Sequence, residues 1–469
     1  MRTRCVGHAC LDVDAGGVRI VTDPWWAGPA YAGQWHPWPT PEPDDLERNA
    51  PDYVYLSHGH ADHLHPDTIA RLAPGATALV PEFVLAGGMA EFVHSLGFER
   101  IIALQHGRPV ALRRGVTATC YLNLTDSILV LEHGGRALVD GNDALHASPE
   151  PIIDHFCRLI ARNHPDIETL FLGYGGASWF PNCIRHPGKD DLADARARED
   201  LFVRNFVRVA RALRPRLACG FAASFVLLEP HNTWINDVKF EHPGPDTILR
   251  RELAGTVRAH LLLPGDRVED GVVTPGRWDR PSRKAFDAAC SGVLREAASR
   301  ATTLPPITRG DVSDLAARVK DRMARHRLLP LFAPAAVELR IRDAGDAAIQ
   351  VRCSRGRSNA HVGAAGEAPI AVELRSEILR TILDEPYGSE TVSIGYGALA
   401  HLEHPRQLRS VARLLRGLEP RKLAMEALGA EARRDLARTS RTIAVQRWPL
   451  ALNAAARFGA LQRLQAALR

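Results

Sequence analysis

The chain of 469 residues is short of several things, and each shortage closes off a class of protein. No apolar run reaches the roughly 18 residues needed to span a bilayer, and the opening MRTRCVGHACLDVDAGG lacks the stretch of about seven apolar residues that a signal peptide needs. A cytoplasmic protein is therefore expected. The eight cysteines, at 5, 10, 120, 157, 183, 219, 290 and 353, include no CxxC pair and are thinly spread, which argues against a disulfide framework and a structural zinc knuckle. They should be reduced and mostly buried. No repeat is visible, and 45% hydrophobic with 24% charged residues is globular material, long enough for two or three domains. The net charge of +5 does not imply a nucleic-acid partner. Arginines such as Arg204, Arg208, Arg211, Arg214 and Arg216 lie at helical spacing among local acids, whereas a phosphate backbone requires a concentrated basic face.

What is present falls into two halves. Up to residue 265, strands alternate with helices. Two short strands turn at Ala15-Gly16-Gly17, residues 53–57 form a strand, and Pro66 with Asp67 opens a helix. Residues 126–140 form a hairpin around His133-Gly134-Gly135. A long amphipathic helix runs over 191–213 until Pro215 stops it, and the apolar run at 217–228 is a buried strand with its turn. The Gly-, Pro- and charge-rich stretch from 267 to 283 marks the main boundary. The predicted division is a domain at 1–265, a linker at 266–284, an α+β domain at 285–415 with helices near 285–300 and 311–325, and a helical, basic segment at 416–469. The end of that segment is amphipathic; packing on its own domain is expected over contact with a membrane or partner.

The chemistry concentrates in Ser57-His58-Gly59-His60-Ala61-Asp62-His63, directly after the 53–57 strand and before a helix. Three imidazoles and a carboxylate in one tight turn can converge on a point. Such nitrogen and oxygen donors suit iron, zinc or manganese, one ion or two.

HxHxDH after a strand resembles the metallo-β-lactamase superfamily, as do Gly7-His8-Ala9 on the first strand and Thr22-Asp23-Pro24-Trp25 closing the second. The resemblance implies an α/β fold, an αββα sandwich, followed here by the smaller α+β domain and C-terminal helices. It also implies His58 and His60 as ligands of a first metal, Asp62 and His63 of a second, and a later aspartate bridging them. Asp143 is the candidate, with Asp140 behind it. Asp126-Ser127, Asn142-Asp143, Gly175-Gly176-Ala177-Ser178-Trp179-Phe180-Pro181, Leu213-Arg214-Pro215-Arg216 and Phe221-Ala222-Ala223-Ser224-Phe225 are similar, in order and spacing over 1–265, to the CMP-N-acetylneuraminate hydroxylase family. That family hydroxylates a sugar with non-haem iron and electrons from a Rieske domain.

Two departures bear on what carries over. The paired Cys-x-His and Cys-x-x-His segments of a Rieske centre are lacking, so an oxygenase would need an external electron donor. The histidine that usually precedes the hairpin is also lacking: residues 121–126 offer Asn123 or Asp126 in its place, or the first site is one ligand short. A last ligand is expected after the 217–228 strand, where His231 is slightly favoured by chemistry over Glu229, which fits the family position.

His8 is read equally as core or as a residue that orients a metal ligand, and His65 as a helix cap. His36, His94, His106, His133, His146, His155, His164 and His186 are read as structural or surface. Trp25, with Trp26, Trp35 and Trp38, either walls a substrate pocket or packs a Pro-rich loop. Ser178 is positioned to donate to a substrate carboxylate or phosphate. Two activities follow. One is oxygenation of a small-molecule or carrier-bound polar metabolite at one or two irons. The other is hydrolysis by a metal that lowers the pKa of bound water to about 7, with Asp62 orienting that water. Oxygenation is favoured, and the α+β domain either holds the substrate or covers the metal domain.

Overall fold

The computed structural model describes residues 1–83, 88–176, 182–229, 231–239, 245–278, 287, 291–292, 295, 307–325, 336–354, 357–366, 368–385 and 388–420. Ser178, nearly all of the 285–300 helix and residues 421–469 lie outside the described residues.

Two sheets face each other. The first has eight strands in the order Val272–Thr274, Arg267–Glu269, Arg2–Gly7, Cys10–Ala15, Val18–Thr22, Tyr53–Tyr55, Thr77–Pro81 and Arg100–Leu104. The second has seven, in the order Arg258–Leu261, Leu217–Phe221, Ile167–Gly173, Arg136–Asn142, Asp126–His133, Thr117–Asn123 and Val110–Ala111. Because alternate side chains of a strand point to opposite faces, each sheet contributes one apolar face to a shared core. Leu11, Val13, Ile20 and Tyr55 meet Leu129, Leu131, Leu138 and Phe171 there. The outer faces are covered by helices. On the second sheet Ile153, Phe156 and Ile160 of helix Glu150–Asn163 pack with Phe206, Ala210 and Leu213 of helix Asp191–Leu213. The layering is the αββα sandwich expected.

Helix Asp191–Leu213 shows how local signals define an element of this half. The Asp190 carboxylate accepts the Ala193 amide at 3.0 Å, satisfying an orphan donor at the start. Phe202, Phe206, Ala210 and Leu213 repeat every three or four residues along one buried face, and Arg214 ends the helix in the left-handed conformation at φ 49°. Two arginines on its outer face are paired locally. Arg208 meets Asp154 at 2.8 Å and Arg211 meets Glu252 at 3.3 Å; beyond its end Arg216 meets Asp166 at 3.0 Å. The seven described cysteines are buried and unbridged, and no helix among the described residues is long and apolar enough to cross a membrane.

Two elements differ from expectation. The apolar run at 217–228 is not one strand: Ala222 sits at φ 53° and breaks it into Leu217–Phe221 and Phe225–Leu227, the second pairing with Trp35–Pro37 outside the sandwich. Residues 267–274, read as linker from their composition, form a hairpin whose strand Arg267–Glu269 pairs antiparallel with Arg2–Gly7. The first sheet therefore extends to Thr274.

The third sheet, six-stranded, belongs to the second half of the chain but takes in Ile184–Arg185 as an edge strand beside Ala398–His401. Helices Arg309–Arg325, Ser376–Asp384 and Leu408–Gly417 pack their apolar faces into its core. That core is continuous with Trp25, Tyr31, Trp35, Phe225 and Leu227 of the first domain. The two halves are thus joined by shared packing, right beside the HxHxDH turn.

Candidate metal centre

Strand Tyr53–Tyr55 runs parallel to Val18–Thr22, so both end on the same rim of the sandwich. Just past the second lies Asp23, held at φ 40° and wholly buried. Its carboxylate organises the turn opposite. It accepts the Ser57 amide and hydroxyl, both at 2.7 Å, the His63 Nδ1–H at 3.0 Å, and the Asn142 amide group. Fixing the His63 proton on Nδ1 leaves the Nε2 lone pair facing away from Asp23, which is how a carboxylate behind an imidazole prepares it for a metal.

That nitrogen points into a carboxylate cluster. His63 Nε2 lies 3.2 Å from Asp62 Oδ2 and 3.5 Å from Asp143 Oδ2. Asp62 is gripped from behind at both oxygens: His8 Nε2 is 2.9 Å from Oδ2, and the Tyr31 hydroxyl donates to Oδ1 at 2.5 Å. His58 takes a contact from Ser57 Oγ to its Nδ1 at 2.8 Å and turns its Nε2 to His60 Nδ1 at 2.7 Å, with Asp126 Oδ1 3.9 Å away. Three groups result, each with donor atoms within 4.8 Å of one another: His58, His60 and Asp126; His58, His63 and Asp143; His8, Asp62 and His63.

The electrostatics follow from this crowding. Burial opposes charge on Asp62 and Asp143, yet the neighbouring histidines outweigh it and hold both carboxyls below the usual range. Burial also works against the His63 imidazolium, and here the Asp62 and Asp143 carboxylates win and raise it well above an ordinary histidine. Burial pulls His60 down to about 4 and His58 well below its ordinary value, so both present neutral rings at neutral pH. Asp140, the runner-up for the bridging position, joins none of the three groups; burial, reinforced by Asp23, pushes its carboxyl up.

A divalent ion fits these residues. The donors are the neutral imidazoles of His58 and His60, the His63 Nε2 that a cation would free by displacing its proton, and anionic carboxylate oxygens; His63 Nε2 and Asp143 Oδ1 are buried without a hydrogen-bond partner among the described residues.

The other sequence candidates are placed as follows. Asn123 turns away, donating to Ala144 O at 2.6 Å and Ser148 Oγ at 3.0 Å, so it is Asp126 that stands beside His58 and His60. His231 and Glu229 are not brought into the cluster. The His231 ring lies between the Tyr396 carbonyl at 2.7 Å and Arg342 Nη1 at 2.5 Å, and Glu229 pairs with Arg375 at 3.2 Å, because the second domain docks onto this turn. Trp25 is wholly buried, its N–H donated to Gly28 O at 2.9 Å and its ring edge-on to His8 at 5.0 Å, which makes it the floor behind His8. His65 does cap the helix Pro66–Ile69, accepting the Thr68 amide.

Three residues at the centre were not singled out beforehand. Asp23 had a signal in the Thr-Asp-Pro ending of its strand. Tyr31 had none, since its bond to Asp62 is set by the path of the Pro-rich loop. His146, read as structural, has its ring Nδ1 on the Asp143 carbonyl and 3.9 Å from Asp143 Oδ1.

Residues 2–145 match the beta-lactamase superfamily domain. With the layering above, this defines the first half as a metallo-β-lactamase fold. Among curated proteins, the chain is 46% identical over 67 residues to cytidine monophosphate-N-acetylneuraminic acid hydroxylase from Sus scrofa, covering 14% of this chain and 15% of that protein. It is 26% identical over 251 residues to the Mus musculus hydroxylase, covering 49% of this chain and 40% of that protein. The chain thus spans well under half the length of these relatives. Among solved structures, a mutant of CmlA beta-hydroxylase covers 57% of this chain and 53% of its own at 17% identity and a TM-score of 0.40.

Proposed function

We propose that the chain is a metal-dependent oxygenase that hydroxylates a small polar metabolite, with iron held at the rim and electrons from an external donor. The observation that carries this reading is the carboxylate-rich donor set: Asp126 stands with His58 and His60, and Asp143 and Asp62 with His63. Carboxylate and imidazole without thiolate is the set that suits iron cycling between oxidation states. The likeness to a hydroxylase over about half of the chain supports the same class.

His58, His60 and Asp126 would hold one ion and Asp62 and His63 a second, with Asp143 between them. The bound metal would supply a redox-active Lewis acid able to activate dioxygen. The chain's own residues do the rest. Asp23 keeps the proton of His63 on Nδ1 and its lone pair toward the site. His8 and Tyr31 fix both oxygens of Asp62, and His63 together with His8 keeps it anionic, so it orients a ligand and does not take up a proton near neutral pH. Trp25, Trp35 and Phe225 pack around His8 and exclude water from that side.

Metal-dependent hydrolysis is the second reading, favoured by the imidazole and carboxylate donors of the rim, which equally suit zinc. Elemental analysis of protein purified without added metal, with an optical spectrum recorded under reductant and then oxygen, separates the two. Iron with an oxygen-dependent spectral change is expected. Zinc without a redox response contradicts oxygenation and selects hydrolysis.

A further inference from the structure

The chain uses arginine almost everywhere: of its 59 basic residues only Lys189, Lys239, Lys284, Lys320 and Lys422 are lysine. One of these is part-buried on the rim that carries the metal cluster. Strands Arg136–Asn142, Ile167–Gly173 and Leu217–Phe221 run parallel and end there, the edge at which open α/β layers take their ligands. From Asp143 the rim continues through Gly173, whose absent side chain leaves room for Asp143 Oδ1, to Gly175, which packs against Ala223. Lys239 closes the row. Its ammonium donates to Ala223 O at 3.2 Å and Phe225 O at 3.3 Å, and lies 3.2 Å from the centroid of the Phe225 ring. Trp35 stacks on Phe225 at 3.6 Å, and the same Phe225 ring lies 5.9 Å from His8, which holds Asp62.

An ammonium has three N–H donors, and two are spent on carbonyls. Among the described residues no carboxylate is paired with Lys239. Glu199, beside Gly175, is the acid that raises it most, ahead of Asp62; burial lowers the lysine and raises the glutamic acid, so each strains against its charged form. With two carbonyls and the Phe225 ring around it and Glu199 as a longer-range partner, this desolvated cation still gains from an incoming oxyanion.

We propose that Lys239 is the anchor for an anionic group, a carboxylate or phosphate, on the substrate that reaches the metal centre. This rests on the reading of the rim as a metal site, and the test is arranged to separate the two. Acetylation of lysines by an N-hydroxysuccinimide ester is followed by peptide mass spectrometry in metal-stripped and metal-loaded protein, with inorganic phosphate or acetate as probe and exposed Lys320 as internal control. Either anion, at a few times its dissociation constant, is expected to slow acetylation of Lys239 about threefold or more in both preparations and to leave Lys320 unchanged. Stronger protection by phosphate assigns a phosphoryl group, and stronger protection by acetate a carboxylate. Calorimetric titration of the same anions should show about tenfold weaker binding by Lys239→Met and retention by Lys239→Arg, thermal melting having shown both variants folded. Equal slowing at Lys239 and Lys320, no slowing at either, or unchanged affinity in Lys239→Met overturns the anchor. Protein that binds no metal yet still shields Lys239 overturns the metal reading alone.

Discussion

Two turns of this chain carry the same kinds of side chain just past the end of a strand, and the fold treats them oppositely. In the 57–63 turn, His58, His60, Asp62 and His63 face one another and the ends of neighbouring strands, with Asp23 and Asn142 fixing the geometry from behind. In the 229–232 turn, His231 and Glu229 are met by Tyr396, Arg342 and Arg375 of the second domain. The partners of His231 lie 165 and 111 positions along the chain. Chemistry that is written within six residues is set by local geometry. Chemistry that waits for a distant element becomes whatever that element makes of it, here a clamp between domains.

The sharpest way to break this contrast is to disarm each turn in turn. His58→Ala with His60→Ala should lower metal affinity by more than about 100-fold, beyond what removal of an outer partner does. His231→Ala should leave metal content at the wild-type level and cost about 1–3 kcal/mol of stability by stranding Arg342 and the Tyr396 carbonyl. Elemental analysis and chemical denaturation read the two. Next in size, Trp35→Ala should cost about 3–5 kcal/mol in a denaturant titration, because Trp35 is wholly buried between Phe225, Tyr31 and Tyr396 where the two turns share a core.

Acid should then loosen the second turn selectively. Burial, aided by Arg342, lowers His231 to about 4. A folded value below the unfolded 6.5 means the unfolded chain binds the proton more readily, so stability is complete above about pH 6.5 and falls as pH drops toward 4, by up to about 3 kcal/mol. Melting of wild type against His231→Asn across that window should show the shallower slope in the variant; equal slopes would remove His231 from the account. The smallest effect expected at the first turn is that of Tyr31→Phe, which frees one oxygen of Asp62 and should weaken metal binding about tenfold with little change in melting temperature.

The same distinction explains what could be read from the sequence. The hairpin of Asp126–His133 and Arg136–Asn142 and the helix Asp191–Leu213 were legible because their turns, caps and periodicity lie inside the elements themselves. The HxHxDH turn was legible for the same reason, and Asp143 came from the family resemblance, which implies a later aspartate. The hairpin at 267–274 was not, since its glycines and charges look like a linker until Arg2–Gly7 is there to pair with it. Nor was the break at Ala222, an ordinary residue in an unusual conformation, whose amide bonds to His8 O at 3.0 Å. Tyr31 and His146 reach the centre, and His231 leaves it, through contacts that only the assembled fold supplies.

The most direct test of the central claim is a crystal structure with anomalous diffraction recorded at the absorption edge of whatever metal copurifies. Density is expected at His58, His60 and Asp126 and at Asp62 and His63, with Asp143 beside both and His231 still on the Tyr396 carbonyl. A peak ligated by His231, or none at the 57–63 turn in protein that contains metal, would contradict it.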